Sequence, residues 1–299
     1  MQAPGQIGRS GRLGLQAGAR ITLLQQAIAA IRRNNGTLFY VPQNFAGSWT
    51  DSAGTDPVDA VADVLGLMTD RSYGANNLGS SVFTDVGVSF FGGSSRVSTG
   101  VYRLFSSDGS YSSIFTLTGQ TIGKWYRLTF NVDSITSGTL SIDNGSGPII
   151  VGITGVGQKL FFIQIITSMG ITIKRTTGIT DIQISGVSIQ EVFGAVATQA
   201  TTANKPTVQR PSANNVIRFD SSNDSLSVNL ASGGSPFVRS YTRTGTVSGF
   251  TSATTSGFVL GQPTVAGRDV CAIVCGANAI TGADLAAIER WAVSIGATL

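Results

Sequence analysis

Histidine is absent from this chain of 299 residues. That removes the usual general base, excludes any Ser/His or Cys/His dyad, and takes away the commonest zinc ligand. Glutamate occurs only at Glu191 and Glu289, so acidic chemistry would rest on aspartates. Charge is sparse, at 12% of residues, and the formal net charge is +4. No Lys/Arg cluster is interleaved with aromatics, so nucleic acid is not an expected partner. No apolar run reaches the ~18 residues of a membrane helix, so no membrane span is expected. The opening MQAPGQIGRSGRLG is basic but has no apolar stretch behind it, which does not read as a secretory signal. G-x-S-x-G, P-loop and G-x-G-x-x-G motifs are missing, and nothing calls for a cofactor or a metal.

Cysteine is scarce too. Cys271 and Cys275 stand in DVCAIVCGA, which alternates like a strand. Four residues apart on one strand they would be roughly 13 Å from each other, too far for a disulfide. They read as buried structural thiols.

What the chain does have is glycine, 38 residues of it, together with many Ser and Thr. This composition suits turn-rich β structure and disfavours helical bundles. Strand signal is nearly continuous over 82–192, broken by SSDGS, TGQTIG, SITSG, DNGSGP and TTG. Turn signals at such short spacing, without helices between them, predict an antiparallel sandwich or jelly roll. In DIQISGVSIQEV the alternating phase slips at Gly186, which predicts a β-bulge. The fold class expected is mainly β: an antiparallel jelly-roll sandwich plus a second small β module, with an N-terminal and a C-terminal helix.

The organisation follows from these patterns. Residues 1–36 form a basic, Gly-rich arm and a helix, and 37–80 is linker-like. The sandwich spans 81–193, a second linker 194–215, and a reduced β module with a C-terminal helix 216–299. In the first helix, expected over 19–34, Ile21, Leu24, Ile28 and Ile31 fall at a/d spacing. Two heptads are too few for an independent coiled coil. The stripe either packs on the chain's own sandwich or serves docking and oligomerisation, where isoleucine at the a positions leans toward a trimer. The last helix carries Leu285, Ile288, Ala292 and Ile295 on one stripe.

Two constellations could carry function. In KWYRLTFNV, Tyr126, Leu128, Phe130 and Val132 share the apolar face, and Trp125, Arg127, Thr129 and Asn131 the other. Trp125 there could stack on a sugar ring with Arg127 and Asn131 as donors, or pack under a loop or against another subunit. LFFIQII (160–166) is apolar on both faces, so that strand is buried on both sides or forms an oligomer contact. In RFDSSNDSL, Asp220 and Asp224 could act as paired carboxylates or oxygen ligands for calcium, or simply close an Asx turn.

Several stretches resemble bacteriophage virion proteins. GKWYRLTFNV followed by DIQISGVSIQEV resembles the start and end of their carbohydrate-binding-like jelly-roll modules. AVATQATTANKPTVQR and then NVIRFDSSNDSLSVNL is similar to the junction before a concanavalin/laminin-G-like sandwich. SWTDSAGTDPVDAVADVLGLMTDRSYG resembles the segment preceding the first module, and ITGADLAAIERWAVSIGATL the closing helix. The stretch from RFDSSNDSLSVNL to that helix is too short for a full laminin-G-like sandwich, so the second module is expected to be trimmed, its missing core supplied by a partner subunit. The resemblance implies a non-enzymatic virion structural protein made in the host cytoplasm. It would be displayed as a fibre, spike or decoration, dock through its N-terminus on other virion proteins, and form a homotrimer. The alternatives are an adhesin recognising host surface polysaccharide and a polysaccharide depolymerase.

Overall fold

Among the described residues, alternating apolar side chains build four antiparallel sheets, paired as two sandwiches, with an N-terminal and a C-terminal helix. The computed structural model describes residues 22–46, 48–71, 78–116, 119–168, 170–230, 237–254, 257–261, 264–276 and 278–299.

The first sandwich is a platform assembled from both ends of the sequence. One of its sheets orders Thr207–Gln209, Val216–Arg218, Asp269–Gly276, Phe237–Thr242 and Gly245–Ser248, with Gly36–Phe39 also paired to Asp269–Gly276. The facing sheet orders Ser48–Trp49, Leu67–Thr69, Val196–Thr198, Ser225–Asn229, Gly257–Gly261 and Ser252–Thr254. Phe39, Met68, Ala197, Phe219, Val228 and Ile273 meet in the shared core. Two expectations are therefore corrected. Residues 37–80 and 194–215 are not linkers, because they carry platform strands. Nor is the second module reduced, because strands from 36–69 and 196–209 complete it within the same chain. Very short strands separated by Asp- and Gly-rich turns hid this contribution from pattern reading.

Two helices cover the outer face of the first sheet. The N-terminal helix α1 (Leu23–Arg33) begins at a capping box, in which Thr22 Oγ1 accepts the Gln25 N–H at 3.2 Å and Gln25 Oε1 accepts the Thr22 N–H at 2.8 Å. Its stripe of Leu24, Ile28 and Ile31 packs on the C-terminal helix α2 (Gly282–Ser294) and on the sheet, beside Ile288, Trp291 and Val274. The docking and oligomerisation role expected of these residues is corrected by this intramolecular seat; Ile21 lies outside the described residues. The strand Asp269–Gly276 serves both layers. Val270, Ile273 and Cys275 enter the sandwich core while Cys271, Ala272 and Val274 face the helices. The break in alternation coincides with a register shift opposite Tyr241 and Thr242. It places the two free, buried thiols on opposite faces.

The second sandwich is inserted into the platform. One sheet orders Gly157–Gln164, Trp125–Ser137, Thr180–Val192, Val101–Ser106 and Ser95–Ser98, with Leu78–Ser81 added at the end of Thr180–Val192. The other orders Pro148–Ile153, Leu140–Asp143, Thr172–Arg175, Ser113–Thr116 and Val88–Phe91. Tyr102, Leu128, Phe130, Ile142, Ile173 and Ile184 fill the space between them. The register between Thr180–Val192 and Trp125–Ser137 slips between Ser185 and Ser188, at the bulge expected from Gly186.

Entry to and exit from this insert lie side by side. Thr69 pairs with Val196 in the platform, the Asp70 N–H donates to Ala195 O at 3.1 Å, and Leu78 pairs with Val192 in the insert. Asp70 is fully buried, and its Oδ1 accepts the Leu38 N–H at 3.0 Å, which ties the junction to the other platform sheet. The modules meet through Phe162 and Val192 of the insert and Leu67 and Val196 of the platform, flanked by Trp49, Trp125 and Leu160. The Trp49 and Phe162 rings are 4.5 Å apart, and the Phe162 N–H donates to Ala53 O at 2.6 Å. Gly54 (φ +72°) sits so close that a Cβ there would lie 2.2 Å from the Phe162 ring.

Candidate functional site

The insert has a packed edge and a far edge. Gly157–Gln164 touches the platform, and Ser95–Ser98 ends the same sheet four strand spacings away, roughly 19 Å. At that far edge the chain crosses from one sheet to the other, from Val88–Phe91 through residues 92–94 into Ser95–Ser98. The crossing is tight. Gly92 has φ +66°, and a Cβ on it would meet Tyr111 O at 2.2 Å. The close approach sets the Phe91 and Tyr111 rings edge to face, with centroids 6.0 Å apart and planes at 71°. Both remain exposed, Phe91 at 59% and Tyr111 at 50%.

The loop carrying Tyr111 is held by its own polar groups. Asp108 Oδ1 accepts the Ser110 N–H at 2.8 Å, and the Ser106 hydroxyl donates to Ser110 O at 2.8 Å. The Ser110 hydroxyl and backbone hold the Asp108 carboxyl below its ordinary range. Arg175 runs alongside: its Nε donates to Ser110 O and its backbone N–H to Ser112 O at 3.2 Å. The neighbouring charges are used in pairs. Lys174 Nζ lies 2.5 Å from Asp143, Arg103 grips Asp181 at 2.7 and 2.8 Å, and Arg96 lies 3.5 Å from Asp85. Such a surface can stack a flat apolar face and donate hydrogen bonds beside it.

The residues singled out from sequence fall elsewhere. Trp125 stands in the module contact, its Nε1 buried and without a hydrogen-bond partner. Arg127 pairs in register with Phe162, gives Nη2 to Gln190 Oε1, and has its pKa lowered by burial. Asn131 lies six residues along the strand from Trp125, roughly 20 Å away, with its Nδ2 on Asp133 at 2.6 Å. The structure therefore does not gather Trp125, Arg127 and Asn131 on one open face, and the expected sugar platform is corrected to a module contact at its Trp125 end. Burial does alternate along 125–132, but exposure of the outer face depends on a neighbour from 49–67 and 196.

Asp220 and Asp224 close a turn on each other. Asp220 Oδ1 accepts the Asp224 N–H at 3.2 Å, and Asp224 Oδ2 accepts the Asp220 N–H at 2.7 Å. The Ser222 hydroxyl, followed by three backbone N–H groups, holds the Asp220 carboxyl far below its ordinary range, whereas burial pushes Asp224 up. Among the described residues no group of three or more Cys, Asp or Glu side chains is placed to hold a metal. A cleft of about 260 Å³ opens where Leu24, Tyr40, Gln43, Trp291 and Ile295 meet over Cys271. Burial pushes the Cys271 thiol up to about 11, so it stays protonated near neutrality.

Phe91 and Tyr111 were not singled out from the sequence. FFGGSS offers two adjacent aromatics, of which Phe90 packs against the core while Phe91 points out. Tyr111 sits in SSDGSYSS, where only the turn signal is visible. No protein family, curated protein or solved structure matches the chain.

Proposed function

We propose that this chain is a non-enzymatic structural protein of a bacteriophage virion, built to display one module on another. The observation that carries this reading is the insertion. A complete sandwich enters and leaves the platform at neighbouring points, Thr69 to Leu78 and Val192 to Val196, and presents its opposite edge outward. The platform is the docking part. The three cations of the first 21 residues (Arg9, Arg12 and Arg20) are accompanied there by no acid, whereas Arg33 further on is already paired with Asp284. This one-sided charge suits attachment to an acidic protein surface of the particle. The carboxylates best placed for chemistry, Asp220 and Asp224, are engaged in closing a turn, which supports a binding role over hydrolysis.

Mass spectrometry of purified particles tests the reading. The full chain should be present in them. A chain lacking residues 1–21 should be lost, and one with residues 72–192 replaced by a short Gly/Ser linker retained. Absence of the full chain from particles, or retention without residues 1–21, overturns it.

A further inference from the structure

We infer that the far edge of the inserted module is a carbohydrate-binding surface, in which a pyranose ring stacks on one of the Tyr111 and Phe91 rings while the other flanks it, and the Arg175 guanidinium donates to its hydroxyl oxygens. The inference rests on reading the insert as the displayed module. The two rings are half exposed or more, at 50% and 59%, and stand at 71° to each other. A pyranose offers an apolar C–H face and a rim of hydroxyls, which is the complement of an aromatic ring bordered by N–H donors.

Two observations favour a sugar over a protein partner. The surface is pre-formed, since the Gly92 approach, the Asp108–Ser110 turn and the Arg175 contact to Ser110 O fix the Tyr111 loop from three sides. Little ordering is left for the moment of binding. The nearby acids Asp108, Asp143 and Asp181 are engaged within the module, while Arg175 uses its Nε on a carbonyl rather than a carboxylate. Its remaining guanidinium N–H groups suit hydroxyl oxygens.

The test is an array of pyranose oligosaccharides probed with the full chain, followed by titration of each hit in solution. Phe91→Ala/Tyr111→Ala should weaken the hit at least about tenfold, and Tyr111→Phe should keep most of it. Arg175→Gln should weaken it, and Trp125→Phe should leave it unchanged. Circular dichroism melts of each variant separate lost binding from lost folding. No hit for the full chain, a hit that survives the double substitution, or a hit lost in Trp125→Phe overturns the inference. So does a dimer of the full chain that the double substitution dissolves, since the surface would then be a contact between copies. Incorporation into particles does not depend on these residues, so the display reading can stand or fall independently.

Discussion

Aspartate in this chain repeatedly serves as a turn former. Asp51 accepts the N–H groups of Ala53, Thr55 and Asp56, Asp63 accepts those of Asp59 and Ala60, and Asp220 caps its own loop. With no histidine and two glutamates, the short Asp side chain reaches back to its own backbone, and that local use was legible from Ser/Asn/Gly neighbours. Asp143 does more. It accepts N–H groups from Gly145 at 2.7 Å and Gly147 at 3.1 Å, and it faces Lys174 at 2.5 Å, with 14% and 17% of the two side chains exposed. Burial alone would raise its pKa, but Lys174 and the two backbone donors outweigh it, and the net shift is downward. A lowered carboxylate contributes stability that is present above the unfolded value near 4 and lost as pH falls through the folded value. Asp143→Ala should therefore destabilise the protein by about 2 kcal/mol at pH 7. The gap from wild type should narrow below about pH 4, as the wild-type carboxyl protonates and Lys174 stands alone in both. Urea unfolding at stepped pH measures this, and a gap that stays constant down to acid pH would contradict the assignment.

At the scale of elements, periodicity identified the pieces but not their neighbours. The a/d stripe of α1 and the stripe of α2 were both visible in sequence, yet a stripe says only that something covers it. Here each helix covers the other and the sheet. Ion pairs set their seats: Arg33 and Asn34 reach Asp284, and Arg239 holds Glu289 at 2.9 Å. The strand 125–132 failed in the same manner, since its polar-looking outer face is covered near Trp125 by Leu67, Val196 and Trp49. Ile31 decides between an internal and an external use of the first stripe. It is fully buried beside Ala27, Ala30 and Ile288. Ile31→Ala should cost about 3 kcal/mol in chemical denaturation and leave the mass in solution, measured by light scattering, unchanged. A stable variant with a smaller assembly mass would return the stripe to oligomerisation.

At the scale of the whole molecule, the all-antiparallel β class was legible, and the way the chain is threaded was not. Discontinuity leaves no mark in composition, because Leu67–Thr69 and Val196–Thr198 are three-residue strands whose partners lie more than a hundred residues apart. Reading forward, 194–299 looks like a truncated module. In three dimensions it lacks Phe39, Val41, Val58, Leu65 and Met68 of its own core, and α1 on its outer face. A fragment of residues 194–299 should accordingly remain unfolded, with no cooperative melt and poor amide dispersion by NMR. Residues 22–71 joined to 193–299 by a short linker should fold, since every strand pair of both platform sheets is then present. That platform should be less stable than the full chain and prone to associate, because removing the insert uncovers Leu67, Val196 and Trp49. Residues 78–193 alone should give a separate cooperative transition, their core of Tyr102, Leu128, Phe130 and Ile184 being complete within the segment. A fragment 194–299 that folds by itself would show that the platform strands from 36–69 are dispensable. An unfolded joined platform would show that it needs the insert to hold Asp70 and the junction in place.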